Sequence, residues 1–470
     1  IWVDLFVPPD AQPGRYRGQL VVKAANNPHL QIDLQVWDFA LPPQMHVFLE
    51  LMCYGTVSRQ PDRNKMLAYY RLAQAHRTTI SDNKVKPAYN GKDYDWSDFD
   101  ARYGELFDGR AFTDGPCAGV PLPFFIVPVE FGIRRPDKTG KSPKRDWPIP
   151  SPKTPSGCGV QFTDRFKADM LAALKAYEAH FIKNGWTHTQ LRVFQDSLDE
   201  PGFHKSGRAL QAGKEQAKTI YEMARLIATG GFRQIVYKLD IGGGFARNRL
   251  DLDADGKLQG PADVANYFAG LVGVWSIHGL CIDVDVLRPQ MQRFGTQVQF
   301  YNGYEPRAGP NAINAEALGF RTWPVLAFRS GIHGAADWHF ARDNGKQVFY
   351  EPNSPVALQR NLYIYDGAGL GMPDRIFPSI RLKSLRRGAQ DYEYLWLLSR
   401  KDGNNRRAMQ IAQRVVRYPI DKVSRDLSRF QDDRVDRRGP RGVMTGRRHW
   451  SHHPAEWERF RQELGRLLSR

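Results

Sequence analysis

The stretch Gln190-Leu191-Arg192-Val193-Phe194-Gln195-Asp196-Ser197-Leu198-Asp199-Glu200-Pro201-Gly202 decides how the chain is read. Its first half has the period of a short strand, with Leu191, Val193 and Gln195 on one side and Arg192 and Phe194 on the other. The pattern stops at Asp199-Glu200-Pro201-Gly202, where proline removes a backbone donor and confines Glu200 to extended or turn geometry. Two adjacent carboxylates therefore stand at the carboxyl end of a strand, which in a parallel α/β barrel is the catalytic face. Like charges in a partly dry cleft cannot both ionise easily. One keeps its proton and serves as a general acid, while its ionised neighbour stabilises positive charge. Neighbours on a regular strand point to opposite faces, so the pair shares a cleft only if the backbone bends, as a Pro-Gly turn allows. The plain alternative is a solvated acidic turn, and the surrounding chain decides between the two.

Outward from this stretch, strand and helix patterns alternate. A helix is expected over 163–184, capped by Thr163 or Asp164, with Phe166, Met170, Leu174 and Tyr177 at helical spacing. Further upstream lie a strand over 46–52 and a helix over 64–75. Residues 82–157 form an irregular Pro-, Gly- and Asp-rich stretch with one strand at 123–129, which reads as a binding loop or lid. Downstream, a helix over 207–230 and a strand over 234–239 are followed by a helix over 262–274 and a strand over 279–284. The segments 289–294, 298–301 and 311–317 continue the repeat, and a final strand is expected at 325–328 or slightly later. That many units, with no phosphate-binding glycine fingerprint after any strand, predict a (β/α)8 TIM-like barrel over 44–378 rather than an open doubly wound sheet.

Two further regions flank it. Residues 1–43 read as three antiparallel strands, 2–7, 16–22 and 30–37, forming the C-terminal part of a β-sandwich whose missing strands are expected upstream of Ile1. Residues 379–470 read as a helical, basic extension. Its strongest helix runs over 379–400, with Ser379 as cap and Arg387 one turn from Asp391.

Composition bounds the function. The chain has 470 residues, 41% of them hydrophobic, enough for a large core and more than one domain. No run approaches the roughly 20 apolar residues of a membrane span, so none is expected. The net charge of +17 comes from 67 Lys+Arg against 50 Asp+Glu, much of the arginine lying within 425–448 and 459–470. No nucleic-acid motif accompanies it, so a solvated basic tail or an acidic or sulfated glycan partner is expected, and no nucleic acid. Cys53, Cys117, Cys158 and Cys281 lack zinc spacing; Cys117 and Cys158 flank the Pro-rich insert and either pair or stay as free thiols. Asp251-Leu252-Asp253-Ala254-Asp255-Gly256 opens like a calcium loop, but Ala262 stands where the closing Glu belongs. It reads as an acidic turn. Gly242-Gly243-Gly244 reads as a barrel loop and His452-His453 as part of the polar tail, so no metal and no cofactor are expected.

Near later strand ends stand aromatic, amide and acidic residues of the kind that bind sugar rings: Tyr237, Asp240, Asp283 with Asp285, Tyr301, Asn302, Tyr304 and Trp338. Taken singly each is a packing or surface residue; taken as a set, about half are expected to line the cleft.

Several pieces together resemble one family. They are Trp2-Val3-Asp4-Leu5-Phe6-Val7-Pro8 with Pro13-Gly14-Arg15-Tyr16-Arg17-Gly18, Val36-Trp37-Asp38-Phe39-Ala40-Leu41-Pro42, Leu198-Asp199-Glu200-Pro201, and Ser379-Ile380-Arg381 through Arg387-Gly388-Ala389-Gln390-Asp391-Tyr392-Glu393-Tyr394-Leu395. In this order, over nearly the whole chain, they look like glycoside hydrolase family 123, the β-N-acetylgalactosaminidases and their wider group of relatives. The resemblance implies a β-sandwich followed by a catalytic barrel and a retaining, substrate-assisted mechanism on a β-linked N-acetylhexosamine. By resemblance, Asp199 orients and polarises the substrate's 2-acetamido group and Glu200 protonates the leaving oxygen. A secreted or periplasmic location is also implied. Two alternatives remain at this point: a glycosidase of other sugar specificity with a separate nucleophile or base, or a non-catalytic carbohydrate-binding protein on the same fold.

Overall fold

A computed structural model describes residues 2–23, 26–82, 84–129, 162–195, 208–242, 260–303, 306–309, 316–338, 340, 363–401, 403, 405–423 and 449–469, without the side chains of 208–215, 260–263, 369 and 370. The chain opens on an antiparallel pair, β1 (Gly14–Val21) and β2 (His29–Val36). Then follow β3 (Phe48–Met52), α1 (Arg63–Ala75), β4 (Thr79–Ser81), a small hairpin of β5 (Ala88–Tyr89) and β6 (Tyr94–Asp95), α2 (Ser97–Phe107) and β7 (Phe124–Ile126). The alternation continues with α3 (Asp164–Lys183), β8 (Gln190–Val193), α4 (Arg208–Thr229), β9 (Ile235–Ile241), α5 (Gly260–Tyr267), β10 (Val274–His278), α6 (Val284–Phe294), β11 (Gln297–Tyr301), α7 (Ala317–Ser330) and β12 (Gly334–Trp338). A hairpin of β13 (Ile364–Asp366) and β14 (Ile376–Pro378) leads to α8 (Ile380–Lys401), α9 (Asn405–Val415) and α10 (Pro454–Leu468).

Eight strands pair in parallel in the order β7-β8-β9-β10-β11-β12-β3-β4, a nearly closed (β/α)8 barrel open along the β4–β7 seam. Side chains alternate across each strand. Leu49, Leu51, Tyr237, Leu239, Trp275, Ile277, Val298 and Phe300 belong to the large core shared with the helices. The intervening positions, among them Glu50, Arg192, Lys238, Asp240, Ser276 and Gln299, face the lumen, where their side chains meet one another.

Several expected boundaries move. Residues 97–107 of the stretch read as irregular form α2, whose Phe99, Tyr103 and Phe107 pack on Phe125 of β7. The strand expected over 279–284 is instead β10, at 274–278. Its Ser276 faces a polar lumen, which breaks the apolar run that the pattern demanded. Residues 325–328, the earlier placing of the final strand, lie inside α7, a helix buried on every side and so lacking an amphipathic stripe, and the strand falls later, as β12. Of the three strands expected in 1–43, only β1 and β2 form a ladder. Residues 2–7 join no strand, and among the described residues no second sheet faces the pair.

The C-terminal helices attach to the barrel through α7. Gly388 of α8 lies so close to it that a Cβ there would stand 2.3 Å from the Arg321 carbonyl oxygen. Buried Asp391 of α8 accepts from Arg321 Nε of α7 (2.6 Å) and Arg461 Nε of α10 (2.8 Å). Glu393, also buried, accepts from the backbone N–H of His46 (2.8 Å) and pairs with its ring Nδ1 (2.7 Å), just ahead of β3. Ser379 Oγ caps α8 as expected, accepting from Leu382 N. The same helices hold the N-terminal residues. Asp4 pairs with Lys383 and Arg386, Phe39 meets Tyr394 edge to face at 5.2 Å, and the Trp37 ring fills the space over Gly465 of α10. No described helix is long and apolar enough to cross a membrane.

Candidate active site

The lumen is polar halfway up. Fully buried Glu50 of β3 accepts from Gln299 Nε2 (2.7 Å) and Ser81 Oγ (2.8 Å), and stands 3.4 Å from Lys238 Nζ and 3.6 Å from Arg192 Nη1. Burial pushes its carboxyl up, but the two cations outweigh that and hold it below the usual range. Arg192 lies over the Phe124 ring, 3.7 Å from its centroid, and donates to Gln190 and Gln297, each at 2.9 Å. Burial lowers its pKa to about 10, still cationic at neutral pH.

Toward the carboxyl ends, Met52, Ile126, Phe194, Tyr301 and Ala336 form a small apolar cluster. Lys238 reaches this level, its Nζ 4.6 Å from the Phe194 ring centroid and 3.0 Å from Asp240 Oδ1. Asp240 is 6% exposed. Burial pushes its carboxyl up to about 6 even though Lys238 draws it down.

Strand ends build the rim. Trp338, 39% exposed at the end of β12, donates its indole N–H to Tyr54 Oη (3.0 Å), and its backbone N–H to Asn302 Oδ1 (2.8 Å). Asn302 follows β11 with φ 55°, a left-handed conformation, and donates its own N–H to Ala336. His278, at the end of β10, meets Tyr301 edge to face at 5.3 Å. Tyr54 sits on a loop wound around buried Asp82, which accepts from the backbone N–H groups of Gly55, Val57 and Ser58, from Ser58 Oγ, and from the Cys53 thiol. Lys84 Nζ lies 5.9 Å from the Tyr54 ring centroid.

Of the sequence-predicted residues, Asp240, Tyr301, Asn302 and Trp338 therefore gather at the carboxyl end of the barrel. Tyr237 does not: one residue from Lys238, it points the other way, into the core between strand and helices. Asp283 is the N-cap residue of α6, and Asp285 in that helix's first turn pairs with Lys422 and Arg288 on the outside of the barrel. Asp199, Glu200 and Tyr304, and the calcium-like stretch 251–256, lie outside the described residues. Gln195, four positions before Asp199, is buried and donates from Nε2 to Val129 O. Cys117 is a free buried thiol, as are Cys53 and Cys281. Among the described residues no cluster of three or more His, Cys, Asp or Glu is arranged to hold a metal ion.

Sequence reasoning missed Glu50, Lys238, Tyr54 and His278 as site residues, and it read Arg192 only as one side of a strand. A signal was present. Glu50 interrupts Phe48-Leu49-Glu50-Leu51-Met52, and Lys238 and Asp240 interrupt Ile235 to Ile241; a charge inside a buried strand needs a partner in the lumen.

Among solved structures, the chain is similar to a family 123 glycoside hydrolase from Clostridium perfringens, described for glycolipid glycan hydrolysis, with TM-score 0.55 and 14% identity over 98% of this chain and 76% of the other. It is more distantly similar to a β-galactosidase from the psychrophilic Marinomonas ef1, with TM-score 0.34 and 10% identity over 77% of this chain and 61% of the other. A β-glucuronidase from Bacteroides uniformis follows, with TM-score 0.30 and 9% identity over 66% of this chain and 33% of the other. No family profile and no curated protein matches the sequence. The first of these likenesses, which covers nearly the whole chain, supports the barrel fold.

Proposed function

We propose that the chain is a glycoside hydrolase that cleaves a β-linked N-acetylhexosamine, retaining anomeric configuration through participation of the substrate. The observation that carries the reading is the convergence of Trp338, Tyr54, Asn302 and Asp240 at the carboxyl end of the barrel. An exposed indole whose ring N–H is held by Tyr54 and whose backbone is held by an amide, at the same end of the barrel as a carboxylate, suits a sugar's apolar face and its hydroxyls. The sequence motif Asp199-Glu200 follows Gln195, the last described residue beyond β8, and its resemblance to the family 123 motif supplies the chemistry.

In that chemistry the 2-acetamido oxygen bonds to the anomeric carbon as the glycosidic C–O bond breaks. The leaving oxygen keeps the bond pair and takes a proton from Glu200. Asp199 accepts a hydrogen bond from the acetamido N–H and stabilises the positive charge that builds on the cyclised intermediate. Water then attacks the anomeric carbon, giving its proton to Glu200, and the ring opens to restore the acetamido group. Two displacements give net retention. The basic balance of the chain favours an acidic or sulfated glycan among the substrates.

The test is a panel of aryl β-glycosides with and without a 2-acetamido group, followed by product NMR. Retention, dependence on the acetamido group and strong inhibition by an N-acetyl thiazoline mimic of the cyclised intermediate are expected. Inversion, or efficient hydrolysis of 2-hydroxy sugars without thiazoline inhibition, rejects substrate assistance.

A further inference from the structure

Charged groups in the lumen are not needed for packing, since replacing a buried ion pair by apolar residues of similar volume is often neutral or stabilising. Glu50, Lys238 and Arg192 are nevertheless all fully buried there, and they connect to the mouth through Asp240. Lys238 bridges two carboxylates, 3.4 Å from Glu50 Oε1 and 3.0 Å from Asp240 Oδ1. Glu50 is fixed from two other strands by Ser81 and Gln299. The groups that act on Asp240 are Lys238 from β9 itself, Glu50 from β3, Arg192 from β8 and the Ser276 hydroxyl from β10. Tyr237, on the other face of β9, feels its charge.

We infer that Asp240 binds the sugar as a carboxylate at the floor of the mouth, accepting hydrogen bonds from ligand hydroxyls, and that Lys238, balanced by Glu50, is a positioning residue that keeps it ionised. The inference rests on the glycosidase reading above. A carboxylate accepts at both oxygens, whereas its acid form gives up one acceptor for a donor. The two neighbours act with opposite sign. Lys238 favours the ionised form and Glu50 opposes it. Removing the lysine therefore raises the pH below which the carboxylate is lost, and neutralising the glutamate lowers it. If Asp240 does not touch the sugar, that pH does not appear in the affinity at all, whatever the two neighbours do to the carboxyl.

The experiment is calorimetric binding of a neutral, non-hydrolysed probe, the methyl thio-β-glycoside of N-acetylgalactosamine, between pH 4.5 and 8. For the wild-type chain the Kd is expected to be level near pH 8 and to rise about tenfold per unit below pH 6, where one bound proton abolishes the acceptor. Lys238→Met should move the break upward by a unit or more, Glu50→Gln should move it downward, and Asp240→Asn should bind weakly with no break. If Lys238→Met does not fold, the downward shift in Glu50→Gln carries the test. If neither folds, the 13C carboxyl resonance of Asp240, assigned with Asp240→Asn, must titrate at lower pH when the wild-type chain is saturated with probe. An unmoved break, an unmoved resonance or a Kd independent of pH in the wild-type chain overturns the inference and leaves the glycosidase reading standing. Absence of binding at every pH overturns both.

Discussion

At the scale of single residues, two buried aspartates behave in opposite ways. Burial would raise Asp391, but Arg321 and Arg461 outweigh it and hold the carboxyl below its usual range. A depressed value contributes stability that is present above the unfolded value near 3.8 and is lost as pH falls through the folded one, so this staple should fail only in acid. At pH 7, Asp391→Ala leaves two buried guanidinium groups uncompensated and should cost about 3–5 kcal/mol in urea unfolding, while replacing all three partners by apolar residues should cost less. A single-mutant loss under 1 kcal/mol would sink this account. Asp240 is the reverse case. Its value is raised to about 6, so its contribution is full below the unfolded value and declines as pH rises through 6. Asp240→Asn does not titrate, and its stability relative to the wild-type chain should improve by about 3 kcal/mol between pH 4 and pH 7, a shift of roughly two units at 1.36 kcal/mol each. Denaturant midpoints at the two pH values check the sign, and a constant difference would contradict it.

At the scale of elements, the sequence was most legible where one face of an element meets the core and the other meets water. The helix at 163–184 and the strand at 190–193 matched their patterns because caps and periodicity agree there. α7 was misread because Trp323-Pro324-Val325-Leu326-Ala327-Phe328 is apolar without a stripe, and a short apolar run cannot separate buried helix from buried strand. β10 was misplaced because the lumen it faces is polar. Site residues followed the same division. Trp338 and Asn302 stood out as sugar-binding types at a strand end, whereas the role of Lys238 depends on β3, a strand 186 residues away through its contact with Met52. The crossing of α7 and α8 yields a prediction against propensity. Ala is favoured over Gly inside a helix by about 1 kcal/mol. At Gly388, however, the added Cβ meets the Arg321 carbonyl oxygen at 2.3 Å and Pro324 Cδ at 2.9 Å. Overpacking of that kind typically costs about 1–3 kcal/mol, so Gly388→Ala should lower the Tm. A rise in Tm would show that the two helices separate easily.

At the scale of the whole molecule, Asp4 and residues 37–39, which flank the N-terminal sheet, form one contact with the C-terminal helices. Half-buried Trp37 lies at its centre, and Trp37→Ala should destabilise by about 2 kcal/mol, below the roughly 3–5 kcal/mol of a fully buried aromatic. Hydrogen exchange should then show β1, β2 and α10 losing protection together; loss confined to β1 and β2 would mean that α10 does not depend on them. The same contact has a consequence for biosynthesis. The hydrogen bond from Asp38 N to Ser469 Oγ joins residues 431 positions apart. A ribosome adding roughly 5–20 residues per second needs roughly 20–90 s to bridge that interval. Throughout it β1 and β2 lack the anchor that the C-terminal end gives to Trp37 and Asp38, with Tyr16, Val21 and Leu30 exposed even in the finished fold. Open strand edges of this kind recruit other chains. The ribbon is thus most vulnerable before α10 has been made, and the yield of the protein in a cell should depend on chaperones that bind it until then.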